Sequence, residues 1–539
     1  MTIKQFFNSP LFIILSGLAF FLPFLGTVHL FDWDEINFAE SSREMLVTGD
    51  YFKVMVNFEP FWEKPPLFFW LQALSMKIFG VGEFAARLPN AIIGIITLYV
   101  FYRIGKEIHS EKFGQIWAML YLGSFLPHLY FKSGIIDPSF NLFIFTSVYF
   151  LIKIISQKKD RTKNALLAGI FNGLAVLTKG PVGFLLFFLT FLVYMTTKRF
   201  RGLPKIKHFA VFALAELAIT SLWYGVEMYN NGFWFITEFI SYQIDLFLNP
   251  VAGHQQPFYY HFLVVFIGCF PLSIFALGSF SKNPKQGNPD FRKWMLYLFW
   301  VVMLLFSIVE TKIVHYSSMA YFPLSFLAAE YILKIAESPA QQKKYIRSLF
   351  LFFGIVFSLL LTLVPLVAQN KELLYPYLKD PFAVDCLKTN VEWAGFEFLI
   401  GIGYLFGVVM AFMLFKKTPL KATAVICYST ALCLLLYLPL VVSKIEAYSQ
   451  RPAIEFYEEL QGEDVYVKPV GFKSYAHYFY FRQPNENNQK RMDDQWLLQG
   501  DIDKPVWFVT KSTNKKLNEF TGVKKTAQKG GFVFYVREP

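Results

Sequence analysis

Thirteen apolar stretches, each close to the ~20 residues that a helix needs to cross a bilayer, dominate this sequence. They lie near residues 11–31, 88–104, 113–131, 138–156, 164–178, 181–197, 208–226, 258–280, 294–309, 316–336, 348–368, 393–415 and 421–443. Of the 539 residues, 55% are hydrophobic, 19% aromatic and only 17% charged, which places the chain outside the range of soluble domains. It reads as an all-α polytopic membrane protein of about 13 transmembrane helices, with its two ends on opposite sides. The first stretch carries one Lys before it and no small-residue cleavage site, so it reads as a retained span and not a removed signal.

A net charge of +12 on a soluble chain would suggest nucleic acid. Here the basic residues follow the membrane instead, and no nucleic-acid partner is expected. Loops on the N-terminal side hold 25 Lys and Arg, and the opposite loops hold 11 spread over far more residues. By the positive-inside rule the N-terminus is cytoplasmic. The long first loop, 32–87, the second large loop, 227–257, and the tail, 444–539, then lie outside. Within the first loop, 35–46 and 67–79 read as short helices along the membrane surface. The tail turns polar, with strand-like runs at 464–468, 506–509 and 531–536 and a helical stretch at 453–460, and reads as a small α/β domain after a membrane domain of 1–443. The four cysteines show neither metal nor CxxC spacing, so neither a disulfide framework nor a thiol nucleophile is expected.

The charged residues of the outer loops bear the chemistry. Asp34 and Glu35 stand where the first span ends and a surface helix begins, so Asp34 is placed like an N-cap beside free amides that keep a carboxylate ionised. Such a group accepts a proton or holds a cation; equally, it is a plain helix cap. In Trp62-Glu63-Lys64-Pro65-Pro66, the prolines rigidify entry into the next helix and put Lys64 near amides that attract anions. That outlines a phosphate site, although Trp and Lys also anchor membrane helices without further purpose. Asp137, Lys179, His254, Lys312, His315 and Tyr316 collect at span ends on the same side, where an outer-leaflet lipid phosphate would give the cations a common role.

Taken in order, these motifs resemble a known family. Asp34-Glu35, Ala39-Glu40, Ser42-Arg43-Glu44-Met45-Leu46, Gly49-Asp50 and Glu63-Lys64-Pro65 are similar to the first external loop of the lipid A aminoarabinose transferases and related polyprenyl-phosphate-dependent glycosyltransferases, which share the GT-C fold with protein O-mannosyltransferases. The likeness runs on through Asp137-Pro138, Thr178-Lys179-Gly180, Gly253-His254, Pro257-Phe258-Tyr259-Tyr260, Lys312 and Tyr316, and it includes the tail. The resemblance implies a multi-pass enzyme of the bacterial inner membrane. It would take a sugar from a polyprenyl-phosphate carrier and pass it, with inversion, to a lipid or protein acceptor on the periplasmic side. Carried over by position, Asp34 is the catalytic aspartate; Lys64, Lys179 and Lys312 meet the donor phosphate; Glu35, Asp137, Tyr316 and Arg43 support the cavity. Glu63 and His254 match positions able to hold a divalent metal (zinc, magnesium or manganese). Where the family often has an arginine eight residues before the histidine, this chain has Leu246, so phosphate binding is expected to lean on the lysines.

Among acceptors, lipid A or another envelope glycolipid is the first reading and a protein hydroxyl the second. A flippase or secondary transporter also has many spans with charged residues, but inverted repeats and broken helices near the bilayer midplane mark those proteins. Here the charge gathers at one surface.

Overall fold

The computed structural model describes residues 9–157, 159–248, 256–280, 288–486 and 488–539. All thirteen expected spans fall on helix, but not all are long. Six described helices are long and apolar enough to cross a bilayer by themselves: Glu83–Ile108, Asp137–Ser156, Pro289–Ile308, Val314–Glu337, Lys344–Gln369 and Pro419–Ala447. A seventh candidate, Ile206–Thr220 with Tyr224–Asn231, bends by 57°. The others are shorter or broken. The first expected span is helical only over Pro10–Phe21, because Pro23 has no amide to continue the ladder and Phe24 turns to a φ of +61°. The expected 258–280 span divides into Tyr260–Gly268 and Leu272–Ala276 around Pro271.

Burial separates the middle of the bundle from its rim. The most hydrophobic window of Val314–Glu337 is 83% buried, against 22% for Lys344–Gln369; a helix apolar on every face and this exposed must face lipid. At the centre, Phe101 stacks on Trp117 with ring centroids 4.5 Å apart, and Phe145 and Phe322 meet Phe101 edge-on. The helices Glu83–Ile108 and Glu111–Leu122 approach closely because Gly105 and Gly114 face each other, and a Cβ on Gly114 would run into the Tyr102 carbonyl. Small residues allow such contacts between membrane helices.

The tail carries one four-stranded sheet: β3 (Tyr466–Val470), β4 (Val506–Lys511), β6 (Phe532–Arg537) and β5 (Val523–Lys529) in spatial order, after a short β1/β2 pair at Met55–Val56 and Glu59–Pro60. β3 runs parallel to β4, and the other pairs are antiparallel. Three of these strands and the Arg451–Glu459 helix fall on the expected runs. The tail is not a freestanding lobe, however. Ile454, Tyr457, Phe479 and Phe534 share one core with Leu30, just before the first loop, and with Ile36, Ala39 and Ala86 within it. This also changes the reading of the first loop, since the Asp34–Thr48 helix does not lie along a surface: Glu35 to Met45 are all buried between the tail and the spans.

Polar contacts fasten this joint. The Leu30 amide donates to the Tyr480 hydroxyl at 2.7 Å, and that hydroxyl donates to Glu83 at 3.1 Å. Tyr480→Phe removes both bonds and leaves a buried amide unpaired, an expected cost of about 1–3 kcal/mol. Faster hydrogen exchange at the Leu30 amide, with secondary structure unchanged, is the measurement that checks it.

Candidate active site

Five separate segments bring charged side chains to the tail-side end of the bundle. Asp34 opens the Asp34–Thr48 helix, yet its side chain makes no capping bond and Trp33 holds the cap position. Asp34 instead turns its carboxylate to His315, with Nε2 3.3 Å from Oδ2, and its side chain stays 42% exposed. The cap reading therefore does not account for it. The Asp32–Trp33 peptide just before it is cis.

Asp137 is the first residue of the Asp137–Ser156 helix and is buried. Lys179 is the last residue of Arg161–Lys179, where Gly180 at φ +83° ends the helix with a turn that a side chain would strain. The two meet as a buried ion pair, Nζ to Oδ1 2.5 Å. Around it, Ser318 donates to Asp137 at 3.5 Å, and Lys179 lies over the Tyr316 and Phe140 rings at 5.0 and 5.5 Å. His315, in the tight turn Val314–Ala320, reaches across to Asp137 Oδ2 at 4.0 Å as well as to Asp34. It links the two carboxylates.

Lys64 completes the group from the first loop, in the turn before the Leu67–Phe79 helix. Among the described residues it forms no ion pair, while Glu63, Asp34, Lys179 and Asp137 all act on it electrostatically. Burial pushes its ammonium below the usual lysine range, against the attraction of Glu63 and Asp34. A cation held this way gains from an arriving anion. The Trp234–Leu248 helix lies against the same turn: Trp62 packs on Phe235 at 4.9 Å and on Trp234 at 6.2 Å, and the Gln243 side chain donates to the Glu63 carbonyl at 3.2 Å.

Not every expected residue joins this cluster. Lys312 donates to the Val309 carbonyl at 2.7 Å and acts on His261, whose ring nitrogens are buried without partners. Glu35 is turned away to Arg87, at 3.0 and 2.8 Å, and accepts from the amides of Phe31 and Gly134 at 2.9 and 2.5 Å. Burial alone would raise its pKa; Arg87 and those amides outweigh burial and hold it below the ordinary carboxylate range. Arg43 does not reach the site at all. It forms a bidentate pair with Glu40, at 2.7 and 2.6 Å, and donates to the Gln483 carbonyl at 2.9 Å, which ties the helix to the tail.

His254 lies outside the described residues, as does any pairing between it and Glu63. Leu246 falls in the Trp234–Leu248 helix. Among the described residues, no three His, Cys, Asp or Glu side chains come together to hold a metal. The four cysteines are buried and unpaired.

Comparison with known proteins decides what such a site sits in. Residues 63–224 match the family model described as dolichyl-phosphate-mannose-protein mannosyltransferase. The undecaprenyl phosphate-α-4-amino-4-deoxy-L-arabinose arabinosyl transferase 1 of Proteus mirabilis is 27% identical over 413 residues, covering 74% of this chain and 71% of that protein. The arabinosyl transferase of Wigglesworthia glossinidia brevipalpis is 25% identical, over 76% of each. The crystal structure of ArnT from Cupriavidus metallidurans bound to undecaprenyl phosphate superposes with a TM-score of 0.77, covering 98% of this chain and 97% of that one at 18% identity. The chain has the fold of that crystal structure and is similar over most of its length to glycosyltransferases that use lipid-linked sugars. The family likeness read from the loop motifs is thereby upheld, and the enzyme is a multi-pass membrane protein.

One residue of the cluster escaped selection from sequence as a site residue. His315 carries no motif of its own, and its only signal was its place between Lys312 and Tyr316.

Proposed function

We propose that the enzyme moves a sugar from a polyprenyl-phosphate carrier to lipid A or another envelope glycolipid at the periplasmic face of the bacterial inner membrane, with inversion at the anomeric carbon. The observation that supports this most is the convergence of Asp34, His315, Asp137, Lys179 and Lys64 at the tail-side end of the spans, with Lys64 free of any ion pair among the described residues. The excess of Lys and Arg in the opposite loops supports an outside position for that end.

In this mechanism the acceptor oxygen attacks the anomeric carbon on the face opposite the phosphate. The new carbon–oxygen bond forms as the bond to the carrier phosphate breaks. Asp34 takes the acceptor proton when the acceptor is a hydroxyl, and positions the nucleophile when it is itself a phosphate. The phosphate leaves as a stable anion and needs no general acid; Lys64 stabilises it. Asp137, paired with Lys179, lies 4.0 Å from His315 and helps to hold it beside Asp34. A divalent metal on Glu63 and His254 is a separate proposal that carries no step here. Its test is whether chelation followed by zinc, magnesium or manganese alters transfer in the native enzyme but not in Glu63→Gln.

Lys64→Ala is expected to weaken undecaprenyl phosphate binding by about tenfold or more, as loss of one charge-assisted contact implies. Native mass spectrometry of the purified protein checks this, and unchanged retention would remove Lys64 from the donor site. A protein acceptor is the second reading, favoured by the description of the matching family model. Mass analysis of envelope glycolipids and periplasmic glycoproteins, with and without the gene, separates the two.

A further inference from the structure

One cavity lies away from the Asp34 cluster. It is a groove of about 640 Å³ between the end of the first span, the Phe125–Tyr130 helix, Lys344–Gln369 and the last span. Its walls are almost wholly apolar, among them Phe24, Leu129, Phe357, Leu361 and Leu438. Asp34, Lys64, Asp137, Lys179 and His315 do not line it. Two features say what would fill it.

First, the groove opens sideways into hydrocarbon. One wall is the helix whose apolar window is only 22% buried, and wall residues Leu360 and Val364 on that helix are 54% and 40% exposed. Second, its tail-side end holds a lone buried cation. Lys132 donates to the carbonyls of Phe20, Phe21 and Pro23 at 3.3, 3.3 and 2.6 Å, and no carboxylate lies in ion-pair reach among the described residues. Arg87, beside it, is already matched by Glu35. Burial and the Arg87 charge push the Lys132 ammonium down to about 8, and an anion at this end would relieve that strain on the charge. The same end is one residue from the proposed reaction centre, since Glu35 lines the groove while Asp34 faces His315.

We infer that this groove receives an acyl chain of the anionic lipid that accepts the sugar, with Lys132 facing its negatively charged head, so that donor and acceptor approach the Asp34 helix from different sides. The word acceptor rests on the function proposed above; the lipid site stands on the groove itself. A polyprenyl chain would fit the apolar walls too, and the experiment distinguishes it.

The full-length protein in phosphatidylcholine nanodiscs is labelled with a phosphatidic acid carrying a photoactivatable acyl chain. Crosslinks are expected within 357–364 and 434–442, and excess undecaprenyl phosphate is expected to leave them in place. Val364→Trp, which fills the groove, should lower labelling about fivefold or more. Lys132→Met should lower the preference for phosphatidic acid over a phosphatidylcholine probe by a similar factor. Both variants should retain undecaprenyl phosphate as the wild type does. Displacement of the label by undecaprenyl phosphate would give the groove to the donor and overturn the inference, as would labelling that Val364→Trp leaves unchanged. The Lys64→Ala measurement, read in the same nanodiscs, reports on the donor site alone and so fails or succeeds independently.

Discussion

Asp34→Asn is expected to lower sugar transfer by about 10²- to 10⁴-fold while the protein still inserts and folds. The two side chains have the same shape, and the Asp34 carboxylate supports no cap and touches His315 alone among the pairs described. No helix cap depends on its charge. On the mechanism proposed above, the variant loses the capacity to take a proton from the acceptor or to hold it in line. The measurement is turnover by purified enzyme with a polyprenyl-phosphate sugar, beside a check that the variant elutes as the wild type does. Full activity would move the base to another carboxylate, with Asp137 next in reach of His315.

Glu35→Gln is expected to act on stability instead, and strongly. Its carboxylate receives Arg87 and two backbone amides in a buried setting, so the substitution leaves a buried guanidinium uncompensated, at a cost of about 3–5 kcal/mol. Thermal unfolding in detergent reads this directly. The pH dependence follows from the depressed carboxylate. A group whose folded pKa lies below its free value of 4.5 contributes its full stabilisation above that value and loses it as pH falls through the folded pKa. Wild type should therefore weaken on acidification below about 4.5 more steeply than Glu35→Gln. Equal acid sensitivity in the two would show that the pair contributes nothing to stability.

Neighbouring acids thus receive opposite tasks, and helix geometry explains the division. Successive residues on a helix differ by about 100° in direction, so Asp34 and Glu35 cannot share a pocket. The same arithmetic was available for Arg43. Nine residues make two and a half turns, which puts Arg43 on the face opposite Asp34 and about 13 Å along the axis. There it pairs with Glu40, one turn away. The motif order in the sequence suggested a shared cavity; the periodicity argued against it.

The spans were legible because apolar runs of this length have few other uses. Their ends were not, because Pro23 and Pro271 stop helices inside stretches that remain apolar throughout. Three strands of the tail were visible as apolar runs, whereas β5, Val-Lys-Lys-Thr-Ala-Gln-Lys, was not. It is an exposed edge strand at the end of the sheet, and its lysines keep that edge from pairing with other chains. The shared core of tail and first loop was hidden for another reason: its two halves stand near opposite ends of the sequence, and neither half alone differs from an ordinary amphipathic helix or strand.

That joint sets the order in which the enzyme comes into being. Ser474 donates to Asp32 at 2.5 Å, and the Tyr475 amide donates to the same carboxylate at 3.3 and 3.2 Å, across 442 and 443 residues of chain. Asp32 is made among the first residues and Ser474 among the last. During synthesis the turn before Asp34 therefore waits, unfastened, until the tail has been made and folded against it. A chain stopped after Ala447 would keep its spans but lack the partners of Asp32, so the turn before Asp34 would stay unfastened.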